Sequence, residues 1–312
     1  MSKSVNQHWV PQFYLREFST PETKQTKEPQ VWIFSKQDSD GIERLTNVRN
    51  VCAKRYLYSP RDESGQRSWE VDDKLQCIES LLAQIWPQVA SDFIDLGDEP
   101  IRKALALFIA TTHVRHPDNR KALQTIHQQI IESLDKLPKK PGGSPNVDSF
   151  IYKGKEFEFD TSGWESYKQW GEDKHHRFFS ETIRAESGHL AKILLKKRWS
   201  VVFSDDKHFI TSDKPVGVQH GSREVFGIGT TGTVVVFPLS PTWILMMNDQ
   251  HQEPANQYYP LKRDNVGAFN YAIWHAATRF MITGRQLPEV LSEIVGWAEN
   301  ERPRSKLRGM NP

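Results

Sequence analysis

Apolar and polar positions repeat with two different periods along this chain. From residue 71 onward, apolar residues recur every three or four positions, which is the spacing of one helix face. They are Leu75, Ile78, Leu82, Ile85 and Val89. The same period returns at residues 101–116, about 119–136 and about 173–197. We expect a helix in each of these regions, with Pro87 bending or ending the first.

Short apolar runs predict strands on either side of these helices. Residues 30–36 (QVWIFSK) alternate as a strand does, and RNVCAKRYLYSP holds a second short strand. Later β-rich runs are FIYKGKEFEFD, WSVVFS, HFITSD, TVVVFPLS, WILMMND and RFMIT. Pro11 favours a helix over residues 11–18, and two more helices are expected at about 262–277 and 286–300.

These elements predict an α+β fold in a single composite domain, residues 1–312, in which a helical middle region packs on a mainly antiparallel sheet. Residues 1–70 carry an N-terminal His-x-Val-Pro motif and short strands, and residues 71–137 are helical. Residues 138–149 are rich in Pro, Gly, Lys and Ser, so we expect an exposed, flexible connector. Residues 150–312 supply a helix, antiparallel strands and the C-terminal helices.

The amino-acid composition of the chain makes several classes of function less favoured. The 312 residues include 41 Lys and Arg against 39 Asp and Glu, so no overall field selects for nucleic acid or an anionic membrane. Cys52 and Cys77 lack the paired spacing of a zinc site, which makes a disulfide framework or a cysteine-based metal site an unfavoured interpretation. The chain shows neither an apolar signal segment nor a membrane span, so we expect a cytoplasmic protein that does not bind a membrane.

Polar residues on the apolar helix faces are the candidate functional residues, because burying a charge is costly unless it is paired. Glu79, Arg115, Glu186 and Asn270 each fall on or beside such a face, and we expect all four to point inward. Asp213 follows the apolar run of HFITSDKPV at a predicted strand end. It is either a carboxylate available to a ligand or metal, or a turn aspartate that accepts from its own backbone.

Several of these residues lie in segments that resemble a known family. HWVPQFYLREF, NVCAKRYLY, IESLLAQIW, RHP, FITSDKPV and FPLSP follow one another as in the bacterial family catalogued as domain of unknown function 4238. The resemblance covers residues 8 to about 280. It implies that His8, Glu79, Arg115 and Asp213 are family positions, without assigning them a reaction. His116 departs from the pattern, since a small hydroxyl residue is expected before Pro117.

Each candidate also has a structural interpretation. His8 is a general base or metal ligand, or it caps the helix that begins near Pro11. Glu79 and Arg115 are a buried ion pair between consecutive helices, or Arg115 binds a phosphate or carboxylate while Glu79 or Glu186 acts as base or metal ligand.

Histidine pairs and a glycine-rich segment are weaker candidates. His113 and His116 share a helix face, and His175 and His176 begin another helix, but we interpret both pairs as surface residues. GIGTTG, residues 227–232, is typical of a hairpin turn and lacks the lysine of a phosphate-binding loop.

The first functional hypothesis is an intracellular bacterial hydrolase of the nuclease or phosphodiesterase type, from a defence or toxin system. His8, Glu79, Arg115 and Asp213 would be catalytic, and Glu79, Glu186 and Asp213 would hold a divalent metal, Mg²⁺ or Mn²⁺. Arg115 and Asn270 would bind a nucleic acid or nucleotide. The alternative is a non-catalytic interaction protein with a protein partner, whose inward polar residues form a structural network.

Overall fold

The computed structural model describes residues 4–36, 43–152, 154–158, 160–262 and 266–308. The N-terminal region contains short elements, as its pattern predicts. They are β1 (Asn6–His8), α1 (Gln12–Glu17), β2 (Gln30–Ser35), β3 (Glu43–Asn47), a 3-10 turn (Val48–Asn50) and β4 (Ala53–Arg55). Pro11 precedes the first helical residue of α1 with extended backbone, which is where proline fits.

The helical middle region consists of α2 (Glu70–Ser91), α3 (Glu99–Val114) and α4 (Pro117–Asp135). Acidic residues fill the first turn of α2, and the Asp98 carboxylate accepts the Ile101 N–H at 3.0 Å to cap α3. The possibility that α2 ends at Pro87 is wrong, because the helix continues to Ser91.

A hairpin and a long helix follow. The elements are β5 (Ser149–Tyr152), β6 (Lys155–Glu158), α5 (Trp164–Lys168) and α6 (Glu172–Lys196). The predicted strand pair is confirmed as an antiparallel hairpin, whereas the short helix α5 was not predicted. The connector before the hairpin is largely exposed and forms turns, with Asn146 N–H donating to Pro138 O at 2.8 Å. Its mobility stays a prediction.

The C-terminal part alternates strands and helices. Its elements are β7 (Arg198–Phe203), β8 (Thr211–Ser212), β9 (Gly217–His220), β10 (Thr233–Ser240), β11 (Trp243–Asn248), β12 (Gln257–Pro260), α7 (Val266–Ala276), β13 (Phe280–Thr283) and α8 (Leu287–Arg308). The strands β9 and β12 were not predicted, because each is only four residues long and neither contains a run of apolar residues that marks a strand.

Two larger sheets organise these strands. One has the order β12-β7-β11-β10-β9 and the other β3-β2-β13-β8. The described pairings are antiparallel except that of β12 with β7. The second sheet joins both ends of the chain, since Ile282 of β13 pairs with Ile33 of β2 on one side and Thr211 of β8 on the other. The fold is α+β, as predicted.

Tyr14 lies at the centre of the main core and is fully buried. Its ring contacts those of Trp86 in α2, Phe108 in α3 and Phe237 in β10. The Tyr14 hydroxyl is hydrogen-bonded to Thr211 Oγ1 at 2.7 Å, which satisfies a polar group that would otherwise be costly to bury. The N-terminal helix therefore holds the helical region and both larger sheets together.

Among the described residues, no helix combines the length and the apolar character that crossing a bilayer requires.

Candidate functional site

Trp9 connects three separate segments of the chain. Its carbonyl oxygen accepts from Arg115 Nε at 2.9 Å, and its indole Nε1 donates to the Asp213 carbonyl oxygen at 2.9 Å. Its ring also makes an edge contact with the His116 ring, with centroids 6.0 Å apart. Strand β1 positions it, because His8 pairs with Ala53 and Trp9 N–H donates to Cys52 O. The N-terminal motif is thus docked on the body of the protein.

Glu79 and Arg115 form the predicted ion pair between α2 and the end of α3. Arg115 Nη1 lies 2.6 Å from Glu79 Oε1, and the Arg115 side chain is 2% exposed against 26% for Glu79. Arg115 Nη2 is also buried and has no hydrogen-bond partner among the described residues. The pair is charge-assisted and mostly removed from water, so it fixes the packing of the two helices.

His8 lies beside this pair and is partly buried. Its Nε2 is 3.1 Å from the Arg49 carbonyl oxygen, so the neutral ring donates through Nε2 and keeps Nδ1 as an acceptor. Burial lowers the His8 pKa, and the Arg49 carbonyl and the Glu79 charge oppose that shift. The Tyr58 hydroxyl lies 3.4 Å from both the His8 and the Arg115 carbonyl oxygens, so His8 is close to the Glu79 and Arg115 pair.

Asp213 is fully buried at the end of β8. Its carboxylate accepts from three successive backbone N–H groups before and within β13, those of Thr278 at 3.1 Å, Arg279 at 2.9 Å and Phe280 at 3.4 Å. Like a turn aspartate, Asp213 accepts from backbone N–H groups, but these donors belong to a segment distant in the chain. Its hydrogen bonds hold the turn between α7 and β13.

His116 lies between two carboxylates. Its Nδ1 accepts the Asp118 N–H at 3.2 Å and caps α4, so in the neutral ring the proton is on Nε2. Nε2 is buried, 3.8 Å from Asp213 Oδ2, and has no hydrogen-bond partner among the described residues. Nδ1 is 3.7 Å from Asp118 Oδ2. The residue that departs from the family pattern therefore faces Asp213.

A cavity of about 370 Å³ opens beside His116, which we call the His116 cavity. Its walls come from the N-terminal segment, β4, the start of α4 and the turn before β13. They are formed by Trp9, Ala53, Lys54, His116, Pro117, Asp118, Lys121, Thr278 and Arg279. Lys54, Lys121 and Arg279 are exposed, and Asp118 is the one acidic residue of the wall. The cavity is therefore a basic site on a chain of nearly balanced charge.

Two predicted site residues, Glu186 and Asn270, do not line the His116 cavity. The expectation that Glu186 points inward is wrong, since it is exposed on α6. The buried face of α6 passes instead through Ile183 and the small residues Ser180, Ser187 and Ala191, which allow close helix packing. Asn270 is buried as expected, but its Oδ1 accepts from Ile210 N–H at 3.1 Å and its Nδ2 donates to His208 O at 2.9 Å.

The predicted metal ligands do not assemble in one place. Glu79 binds Arg115, Asp213 binds backbone amides and Glu186 is exposed. The described part of the chain contains no group of three or more His, Cys, Asp or Glu side chains arranged to hold a metal ion. The divalent metal stays a prediction.

The interpretation of both histidine pairs as surface residues is wrong for His116 and His176, which are buried. His176 Nε2 lies 2.8 Å from Leu57 O, whereas His175 Nε2 lies 3.1 Å from His127 Nδ1. The two neighbouring rings thus point to different partners, as helix geometry predicts. GIGTTG forms a turn before β10, with Thr230 N–H donating to Gly227 O.

Lys54, Lys121 and Arg279 were not candidates in the sequence. They come from three separate segments of the chain, and only the fold brings them to one cavity. The available signal was that Lys54 lies within the NVCAKRYLY segment and Lys121 lies four residues after the RHP segment.

A family model described as a protein of unknown function, DUF4238, matches residues 6–286. The chain belongs to the DUF4238 family. This confirms the resemblance, and the matched range contains every wall residue of the His116 cavity. Comparison with curated proteins and with solved structures gave no match. In this DUF4238 member, the HWVP, RHP and TSD segments meet at Trp9, His116 and Asp213.

Proposed function

We propose that this protein binds the phosphate groups of a nucleotide or nucleic acid at the His116 cavity. The observation that carries the proposal is the convergence of Lys54, Lys121 and Arg279 on one cavity beside His116. Lysine and arginine side chains are the usual partners of phosphate oxygens. The cavity volume of about 370 Å³ is within the range of small-molecule sites.

The charge of the cavity favours an anion. Lys54 has no ion-pair partner among the described residues, and Lys121 Nζ lies 3.4 Å from Asp118 Oδ1 while its side chain is 79% exposed. The guanidinium of Arg279 is exposed as well, although its backbone N–H is bound to Asp213. Three cations against one carboxylate leave an excess of positive charge that a phosphate would neutralise.

Hydrolysis of a phosphodiester is the further step that the sequence predicts, and it is part of the same proposal. Asn270 does not line the cavity, so His116 takes its place as the polar side chain proposed next to the phosphate. We assign it no proton transfer. The hydrolase proposal is tested by cleavage of the bound ligand with Mg²⁺, with Mn²⁺ and with a chelator.

Binding can be measured by fluorescence anisotropy with a labelled single-stranded oligonucleotide at several salt concentrations. Lys54→Gln, Lys121→Gln and Arg279→Gln should each weaken binding and reduce the slope of log K against log salt by about 0.7 per lost phosphate contact. Lys207→Gln is the matched control, because Lys207 is exposed in the turn after β7 and does not line the cavity. Absence of binding at low salt, or equal binding by all variants, would contradict the proposal.

A structural role for the inward polar residues is the second candidate, and a specific observation favours it. Glu79 and Arg115 are paired, Asp213 accepts three amides and Asn270 binds the backbone of the segment before β8. Such a network rigidifies a core without taking part in chemistry. It is the network expected of a non-catalytic interaction protein, and its energetic test is the Glu79 variant described below.

A further inference from the structure

A second cavity, lined by aromatic rings, lies beside α5. Its volume is about 470 Å³, and it is formed by α4, the segment before α5, α5 itself and the start of α6. Trp164, Tyr167 and Trp170 contribute the rings, and Lys174, Thr161 and Ser166 contribute polar groups. Aromatic residues three positions apart around a short helix bring all three rings to one side of it. We call this the Trp170 cavity.

The rings of this cavity are held in place from behind. Trp170 stacks on His127 with ring planes 10° apart and centroids 5.3 Å apart. His127 Nε2 lies 2.8 Å from the Tyr167 carbonyl oxygen, and its Nδ1 lies 3.1 Å from His175 Nε2. Trp164 is 4% exposed and stacks on Tyr167 at 5.9 Å. The half-buried rings of Tyr167 and Trp170 are therefore preorganised to receive a planar group.

One cation of the cavity wall is available to a ligand. Lys168 Nζ pairs with Glu165 at 2.8 Å and Lys139 Nζ pairs with Asp135 at 2.6 Å, both near the Trp164 ring. Lys174 lines the cavity, is exposed and has no ion-pair partner among the described residues. Asp160, the acidic wall residue, binds the backbone and hydroxyl of Ser162. Lys174 is therefore the cation of this cavity that can pair with an anionic group on a planar ligand.

We propose that the Trp170 cavity binds a nucleobase, with the base stacked on the Trp170 ring, its edge against Tyr167, whose ring plane is tilted by 58° from that of Trp170, and the attached phosphate near Lys174. Aromatic side chains are the common platform for unpaired bases, and a cation beside them matches the base-plus-phosphate composition of a nucleotide. Ile130 of α4 lines this cavity, whereas His116 caps the start of the same helix, so the two cavities lie about 20 Å apart along α4. The site is distinct from the His116 cavity and does not depend on it.

Adenosine is the decisive probe because it carries a base without a phosphate. Calorimetry should detect adenosine binding to wild type, with AMP bound more tightly by about two- to fivefold through Lys174. Lys174→Gln should remove the preference for AMP and leave adenosine binding unchanged. Lys192→Gln is the matched control, since Lys192 is exposed on the same helix and does not line the cavity.

The stacking contribution is tested separately. Trp170→Ala should weaken adenosine binding by about fivefold to a hundredfold. A circular-dichroism melt of this variant shows whether it is folded, and Lys174→Gln tests the site without altering any packed ring. Absence of adenosine binding to wild type, equal binding of ribose and adenosine, or an AMP preference unaffected by Lys174→Gln would each overturn the proposal. Adenosine binding that survives the His116 cavity variants separates this site from the proposed function.

Discussion

Arg115 Nη1 donates to Glu79 Oε1 at 2.6 Å, and the pair joins the middle of α2 to the last turn of α3. Arg115 Nε simultaneously donates to the Trp9 carbonyl oxygen at 2.9 Å. One guanidinium therefore connects two helices and the N-terminal segment. Because Arg115 is 2% exposed, removal of its partner charge leaves a cation that water cannot reach.

We predict that Glu79→Gln lowers the free energy of unfolding by about 1 to 3 kcal/mol. The cost is below that of a fully buried pair because Glu79 is 26% exposed and glutamine still offers one acceptor oxygen. Urea unfolding measures the difference. Glu70→Gln in the same helix is the matched control, since its contacts with Lys74 and Arg184 are more than half exposed on both sides and should contribute much less to stability. Equal losses would argue against a structural pair.

We predict that Asp213→Asn lowers stability by about 2 to 4 kcal/mol. The Asp213 carboxylate accepts from three backbone N–H groups through both oxygens, so either orientation of an asparagine amide places an N–H₂ against a backbone donor. Thermal and urea unfolding measure the loss. Asp206→Asn is the control, because the Asp206 side chain is 86% exposed. A neutral result at Asp213 would mean that the turn before β13 does not need these hydrogen bonds.

We predict that His116→Ser is more stable than His116→Ala by about 0.5 to 2 kcal/mol. Both substitutions remove the imidazole from Trp9, but serine retains a side-chain oxygen that accepts from the N-terminal amides of α4. The difference between the two variants therefore reports the helix cap alone, because the loss of packing is common to both. The serine variant also has the small hydroxyl residue that the family pattern has before Pro117. Equal stability of the two variants would show that His116 does not act as the cap.

We predict that the protein loses stability as the pH falls from about 6.5 to 4. Burial lowers the pKa of His113 to about 4, and burial likewise lowers that of His176 to about 4, from the ordinary 6.5. Between these pH values the unfolded chain takes up protons that the folded chain does not. The stabilisation is therefore fully present above pH 6.5 and is lost as the pH falls to 4. The loss of unfolding free energy is on the order of 3 kcal/mol per histidine at most.

His176→Gln tests the source of this pH dependence. The variant should reduce the slope of unfolding free energy against pH between 6.5 and 4, because one proton fewer is taken up on unfolding. His251→Gln, which changes an exposed histidine, should retain the wild-type slope. The hypothesis fails if both variants show the same slope as wild type.

Helix periodicity alone predicts the contact between Glu79 and Arg115. Both residues lie on or beside apolar faces of consecutive helices, and a helix fixes the direction of each side chain from its position alone. The α+β class and the order of most elements follow from the same local patterns. Strands β9 and β12 escaped prediction because pairing with β10 and with β7, and not their own apolar content, makes these four-residue segments strands.

The sequence by itself therefore determined the helices other than α5, the main strands and the inward positions of Glu79, Arg115 and Asn270, since these depend on a local period. It could not determine that Glu186 is exposed, because small residues such as Ser187 and Ala191 give no apolar signal although they form the packed face of α6. Only the tertiary structure decided that His116 faces Asp213 and that Lys54, Lys121 and Arg279 share a cavity. These residues come from segments far apart in the chain, and their proximity is set by packing that no local pattern encodes.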